Sequence, residues 1–254
     1  MNDDELARLE NENMAAWLRI SCGQVAGSLV VESGGVSAFG SGLPLALFNQ
    51  VVVTGDDPTE AGMAASIQTL QARGAPFYLV LRRAIDERFA GVAGELGLAL
   101  EDDILPGMAL APIPPADDPP AGHGIRLVDD AAGLDDHVAV DAAAFGIPEP
   151  LVRPWIGERL WEIPGCAVYV GYTDGQPVSS GFSVRTADTI GIYTIATIES
   201  ARRRGYGAAM TARVAADGAA AGCRVAVLQP SEMGKPVYER LGFRTVSERI
   251  VYRG

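Results

Sequence analysis

The stretch Arg202-Arg203-Arg204-Gly205-Tyr206-Gly207 constrains the fold of this chain more than any other. Residues 190–197 before it are rich in β-branched side chains and predict a strand, and the alanine-rich run after it predicts a helix. A strand, a tight turn and a helix start follow in succession. A helix N-terminus presents unpaired backbone N–H groups and the positive end of the peptide dipole. Glycine at 205 and 207 lets an anion approach the backbone, and three arginines add positive charge where a first turn ordinarily prefers acids. The pattern predicts a cradle for a pyrophosphate.

Two common cradles do not match. A P-loop requires Gly-Lys followed by Ser or Thr, and a dinucleotide fingerprint requires a third glycine and a later acid for the ribose. The residues instead resemble the acyl-CoA signature of the GNAT superfamily of N-acetyltransferases: Arg or Gln, two residues, Gly, one residue, then Gly or Ala. Arg202, Gly205 and Gly207 fill it. A second segment, residues 237–243 (Val-Tyr-Glu-Arg-Leu-Gly-Phe), resembles that superfamily's closing helix with its Tyr-x-x-x-Gly-Phe ending.

The resemblance implies a set of site residues. The backbone of Ile195, Ala196 and Thr197 is expected to pair with the pantetheine arm of acetyl-CoA, as a ligand added to a sheet edge. Backbone N–H groups from Arg203, Arg204, Gly205, Tyr206, Gly207 and Ala208 are expected to hold the pyrophosphate, with Arg202 as the motif arginine. Tyr238 matches the general-acid tyrosine: a thiol of pKa about 8.5 can take its proton from a phenol of about 10. Ser231 stands where many members carry an asparagine against the cofactor arm; a capping serine is the other reading. No base is assigned. Residues 190–197 contain no carboxylate, and Glu149, Glu158 and Glu199 lie only near the expected pocket.

The chain divides at a proline-rich stretch. Residues 112–122 hold five prolines, which remove backbone donors and fix φ, giving an extended spacer. The second half predicts a strand at 125–128, helices at 130–145 and 151–162, a hairpin turning at Thr173-Asp174-Gly175, the 190–197 strand, the cradle helix with a buried stripe at Tyr206, Met210 and Val214, then strand, helix and strand. In the resembled fold the two helices wall the substrate pocket, so Phe145, Ile147, Trp155 and Trp161 are candidates for its lining, with core packing as the other reading. The first half predicts an opening helix at 3–20, then strands at 28–32, 36–39, 49–54, 77–81 and 108–111, with helices after the third and fourth. Its turn, Thr54-Gly55-Asp56-Asp57, would repel a phosphate.

The expected fold is therefore α/β, with two GNAT-like domains, each a mixed, largely antiparallel sheet flanked by helices. Residues 1–111 form a degenerate copy, 112–123 the linker and 124–254 the catalytic domain. The implied function is acetyl-CoA-dependent acetylation of a primary amine on a small-molecule acceptor. A catalytically silent acyl-CoA-binding module is the alternative.

Composition bounds the partners. A net charge of −12 argues against nucleic acid and is compatible with a cationic amine. The acidic start and the lack of a long apolar run predict no secretory signal and no membrane span. Cys22, Cys166 and Cys223, odd in number and widely spaced, predict free thiols in a reducing cytoplasm and no metal. His123 and His137 are isolated and read as structural, although His137 falls on a predicted helix near the expected substrate loop. A homodimer is compatible with this reading.

Overall fold

The computed structural model describes the backbone of residues 1–254 and the side chains of all but 102–104. Eleven strands form one continuous sheet. In chain order they are β1 (Leu29–Ser33), β2 (Val36–Gly40), β3 (Asn49–Val53), β4 (Tyr78–Arg82), β5 (Ala99–Leu110), β6 (His123–Leu127), β7 (Cys166–Thr173), β8 (Gln176–Thr186), β9 (Thr189–Thr197), β10 (Val225–Leu228) and β11 (Arg244–Arg253). Their spatial order is β1-β2-β3-β4-β11-β5-β10-β9-β8-β7-β6. Pairing is antiparallel except between β3 and β4 and between β9 and β10, which are parallel.

The order repeats about the centre of the sheet. A hairpin, a third antiparallel strand and a parallel fourth occur in each half, as β1 to β4 and as β7 to β10. The last strands are exchanged. β5, from the first half of the sequence, pairs with β10, whereas β11, from the second half, pairs with β4 along Arg249↔Arg82 to Arg253↔Tyr78. β5 and β11 then pair with each other through two register shifts. Methionine and leucine at 108 and 110 of β5 thereby join the core of Met210, Val214, Leu228 and Phe243.

The helices follow local rules. α1 (Asp3–Gln24) starts on Asn2, whose Oδ1 accepts the Glu5 N–H at 2.9 Å. α2 (Glu60–Arg73) starts on Thr59, whose Oγ1 accepts the Gly62 N–H at 3.0 Å, and stops at Gly74 with φ +70°. α3 (Ala90–Glu95) is short. α4 (Ala131–Phe145) starts on Asp130, whose carboxylate accepts the Gly133 N–H at 2.7 Å. α5 (Glu149–Ile156) carries Pro154 and ends at Gly157, so the predicted 151–162 helix is broken and only a 3₁₀ turn follows at Leu160–Glu162. α6 (Tyr206–Ala220) and α7 (Lys235–Arg240) complete the set.

β5 begins well before the predicted 108–111. Glu101 and Pro106 make that stretch unlike a strand locally, but β11 lies beside it and supplies the pairing.

α1 lies over the middle of the sheet and touches strands of both halves. Its Met14 and Leu18 share one core with Phe39, Phe48 and Val52 of the first half and with Val138, Trp155 and Phe182 of the second. Polar side chains on the same helix are also buried. Asn13 donates to the Val184 carbonyl at 3.0 Å and accepts from the Tyr193 hydroxyl at 2.6 Å. Glu10 accepts from Arg249, from Ser247 and from Gln229, which directly follows β10. α6 packs on the opposite side, against β8 and β9. No helix among the described residues is long and apolar enough to cross a membrane.

Candidate active site

β9 and β10 are paired only at Thr189, Ile190 and Gly191. β10 ends at Leu228, and beyond Gly191 the β10-facing edge of β9 has no strand beside it among the described residues. A β-bulge accompanies the divergence: Ser180 faces Ala196 and Phe182 faces Tyr193, so Gly181 alone opposes Thr194 and Ile195. Thr194 has φ +47°, the left-handed conformation seen at the extra residue of one class of bulge. Ile195 and Ala196 thus lie on a free sheet edge. The carbonyl of Thr197 already accepts the Arg202 Nε–H at 3.2 Å.

The cradle follows at once. Gly205 has φ +83° and precedes the first residue of α6, and no side chain caps that helix end. Arg203 is also left-handed, at φ +63°. Among the described residues no acceptor meets the N–H groups of Gly205, Tyr206, Gly207 or Ala208, the first intrahelical bond being Ala209 N–H to the Gly205 carbonyl at 2.9 Å. These amides form a ready anion site. A Cβ at Gly207 would lie 3.6 Å from Thr197 Oγ1 and 3.9 Å from Ile195 Cγ2, so the cradle adjoins the free edge.

The three arginines divide. The Arg202 guanidinium is committed to backbone: Nε to Thr197 and Nη2 to the Ala144 carbonyl at 3.1 Å, tying the end of β9 to α4. Arg204 donates to the Ser200 carbonyl at 3.3 Å, and Arg203 is exposed. The Tyr206 ring is buried against His123, with centroids 4.0 Å apart and planes 9° apart, so that residue offers its amide and not its phenol.

Tyr238 sits on α7, edge-on to Phe243 at 6.0 Å, and packs on the α6 core. Its hydroxyl makes no hydrogen bond to another described residue. Burial pushes its pKa up to about 12, so the phenol keeps its proton at neutral pH. Ser231 accepts the Gly234 N–H at 3.2 Å in the loop before α7, whose N-cap residue is Gly234 itself. Of the candidate lining residues, Trp155 is core, against Trp17 at 5.8 Å and Phe48 at 4.8 Å; Ile147 and Trp161 pack on that core and Phe145 is half exposed. Glu149, Glu158 and Glu199 are all exposed. Among the described residues no group of three or more His, Cys, Asp or Glu side chains is arranged to hold a metal ion.

Sequence reasoning missed His123, which accepts or donates to Thr173 Oγ1 at 3.1 Å and Ser179 Oγ at 3.3 Å while stacking on the cradle helix. No local pattern marks it, because strand, hairpin and helix meet there only in three dimensions. It also missed the polar groups that α1 brings to the point of divergence, Glu10 on Gln229 and Asn13 on Tyr193.

Residues 164–245, which contain the free edge, the cradle and α7, match the family described as acetyltransferase (GNAT) domain. No curated protein sequence matches the chain. Its fold is similar to that of a GCN5-related N-acetyltransferase from Kribbella flavida, with a TM-score of 0.70 at 19% identity over 94% of this chain and 93% of that one. It is similar also to a GCN5-related N-acetyltransferase from Sphaerobacter thermophilus, with a TM-score of 0.62 at 18% identity over 87% and 76%. A tandem GNAT protein from the clavulanic acid biosynthesis pathway aligns with a TM-score of 0.62 at 14% identity over 100% of this chain and 95% of that one. Motif, edge and cradle fall together within residues 164–245, the segment that matches the acetyltransferase (GNAT) domain family.

Proposed function

We propose that this chain is an acetyl-CoA-dependent N-acetyltransferase acting on a primary amine of a small-molecule acceptor, with its active site in the second half. The observation that carries the reading is the unpaired amide row at the start of α6 adjoining the unpaired edge of β9. A pyrophosphate fits the first and an extended amide-bearing arm fits the second. Acetyl-CoA, when bound, supplies the acetyl group as a thioester.

The protein's own residues do the rest. The amides of Gly205 to Ala208 would each contribute about 1.5–3 kcal/mol to anion binding as charge-assisted donors. Ile195 and Ala196 orient the arm through backbone groups. Tyr238 retains a proton on its phenolic oxygen and can deliver it to a departing thiolate. The acceptor must be neutral to attack, and an alkyl ammonium of pKa about 10.4 is neutral in only about one part in 2,500 at pH 7.

The first half, residues 1–111, is read as a non-catalytic copy. Its strand order supports this, and so does its turn. The carbonyls of Gly34 and Gly35 accept the N–H groups of Thr59, Thr54 and Gly55, and the Thr59 hydroxyl accepts that of Gly62, so several amides at this turn already have partners within the protein.

The test is to titrate acetyl-CoA by calorimetry and then follow free-thiol release over a panel of primary amines. Binding with amine-dependent thiol release supports the enzyme. Binding without turnover identifies a silent acyl-CoA-binding module instead.

A further inference from the structure

β9 lacks the carboxylate that would receive the acceptor's proton, but a buried acid and base lie against β8, the strand paired with β9 on the side away from its free edge. His137 and Asp141 are one turn apart on α4, and both are enclosed, at 0% and 2% exposure. Asp141 Oδ1 accepts the hydroxyl of Ser180 at 2.5 Å, a charge-assisted bond. Ser180, itself fully buried, lies on β8 directly opposite Ala196, whose other side is the free edge of β9.

The protonation of the pair follows from its partners. His137 Nδ1 is 3.1 Å from the carbonyl of Tyr169, which can only accept, so Nδ1 carries a hydrogen. Nε2 lies 3.4 Å from Asp141 Oδ2, close enough for an ion pair though not aligned as a hydrogen bond, and it has no other partner among the described residues. In the neutral ring that nitrogen would turn a lone pair toward a carboxylate. The arrangement is repulsive without a proton and attractive with one, so the pair is built to take up a proton. Burial lowers the His137 pKa and Asp141 raises it, the net direction being upward.

Other titratable groups on the elements around α4 face elsewhere. The Tyr172 hydroxyl donates to Asp136 and Arg153 pairs with Asp135, both on the outer side of the helix. The Tyr193 hydroxyl is held by Asn13, and the Tyr169 phenol lies toward Asp217.

We propose that Ser180, Asp141 and His137 form a buried relay that accepts the proton of the acceptor ammonium, replacing the strand carboxylate that β9 lacks. This rests on the acetyltransferase reading above. One N–H bond of the ammonium breaks, a proton passes by way of the Ser180 hydroxyl and Asp141, and His137 Nε2 gains it. The neutral amine then forms the C–N bond as the C–S bond breaks, and the relay returns its proton to solvent after the product leaves. Asp141 and His137 act through Ser180 and are positioning residues in this scheme.

The test uses the full chain. The protein has two histidines, so the His137 ring signals are assigned by their loss in His137→Asn. Titrated by NMR, His137 is expected to have a pKa above about 6.5, to shift when acetyl-CoA binds, and to fall in Asp141→Asn. With any amine turned over, kcat/KM in Asp141→Asn and His137→Asn should drop about 10²-fold and the acid limb of the pH profile should move, while acetyl-CoA affinity stays within twofold. Ser180→Thr, which keeps the hydroxyl, should retain more activity than Ser180→Ala. An acid limb that stays in place in Asp141→Asn, with turnover intact, overturns the relay and leaves the acetyltransferase reading standing. If acetyl-CoA binds but no amine is acetylated, the acetyltransferase reading falls, and a His137 pKa unmoved by acetyl-CoA overturns the relay as well.

Discussion

The N–H of Thr59, the residue before α2, donates to the carbonyl of Gly34 at 2.9 Å, whereas the N–H of Gly205, the residue before α6, meets no acceptor among the described residues. Thr54 and Gly55 both donate to Gly35 at 3.0 Å, and a Cβ on Gly35 would approach Pro58 Cα to 2.9 Å. The turn between β1 and β2 is thus seated on the start of α2.

The stoichiometry of acetyl-CoA is expected to be one per chain. Calorimetry checks it directly, and a value near two would contradict the filled turn. Gly205→Ala should weaken binding in the same experiment, because a left-handed alanine costs about 1–2 kcal/mol and shifts the amide row.

Tyr238→Phe should lower kcat by about 10²-fold with little change in the KM for acetyl-CoA. Burial holds this phenol at a pKa of about 12, so it is protonated throughout the working range. The basic limb of the rate profile below about pH 10 should therefore be the same in wild type and variant when residual activity is measured. A limb that vanishes in Tyr238→Phe would mean that the phenol titrates far lower.

Residues 124–254 produced alone should fail to form the cooperative fold. β10 would lose β5 from one edge, and the core of Met210 and Val214 would lose Met108 and Leu110, at roughly 2–5 kcal/mol for each large side chain removed. Circular dichroism and NMR dispersion of the fragment test this. A well-dispersed, monomeric fragment that binds acetyl-CoA would show that the exchanged strand is dispensable.

Glu10→Gln should destabilise the protein by about 3–5 kcal/mol, since it leaves the Arg249 guanidinium buried without its counter-charge. Among the described residues, Nε and Nη1 of Arg249 have no partner. Chemical denaturation gives the number, and a loss below about 1 kcal/mol would mean that water reaches the arginine.

Stability should also depend on pH through His137. Burial, the largest single influence, lowers its pKa in the fold, but Asp141 and the Tyr169 carbonyl together raise it above the ordinary value. The stabilisation is then complete below about pH 6.5 and disappears as pH rises through the folded pKa. The melting temperature of wild type relative to His137→Asn should accordingly fall as pH rises above about 6.5. A gap that widens over this range would reverse the sign of the shift.

Much of the second half was legible because its signals are local. The β-branched run of β9, the glycine turn and the stripe of Tyr206, Met210 and Val214 each specify their conformation within one turn or strand. The hairpin at Asp174 and Gly175 likewise announces itself, both residues having positive φ. The long second helix of this half was misread, because Pro154 and Gly157 break a pattern that the apolar side chains continue.

By itself, the sequence determined most of the strands and helices and the glycine turn that starts α6, since propensity, caps and glycine conformations act over a few residues. Only the tertiary structure decided which strand lies beside which. β5 reads poorly as a strand and becomes one because β11 and β10 flank it, and β11 leaves its own half to do so. Nor could local pattern show that α1 would bury Glu10 and Asn13 across the centre of the sheet, or that Asp141 would meet Ser180, because those contacts join residues from 39 to 239 positions apart. Such pairings are chosen by the burial of whole faces and the satisfaction of buried polar groups, which depend on the packed ensemble of elements rather than on any one of them.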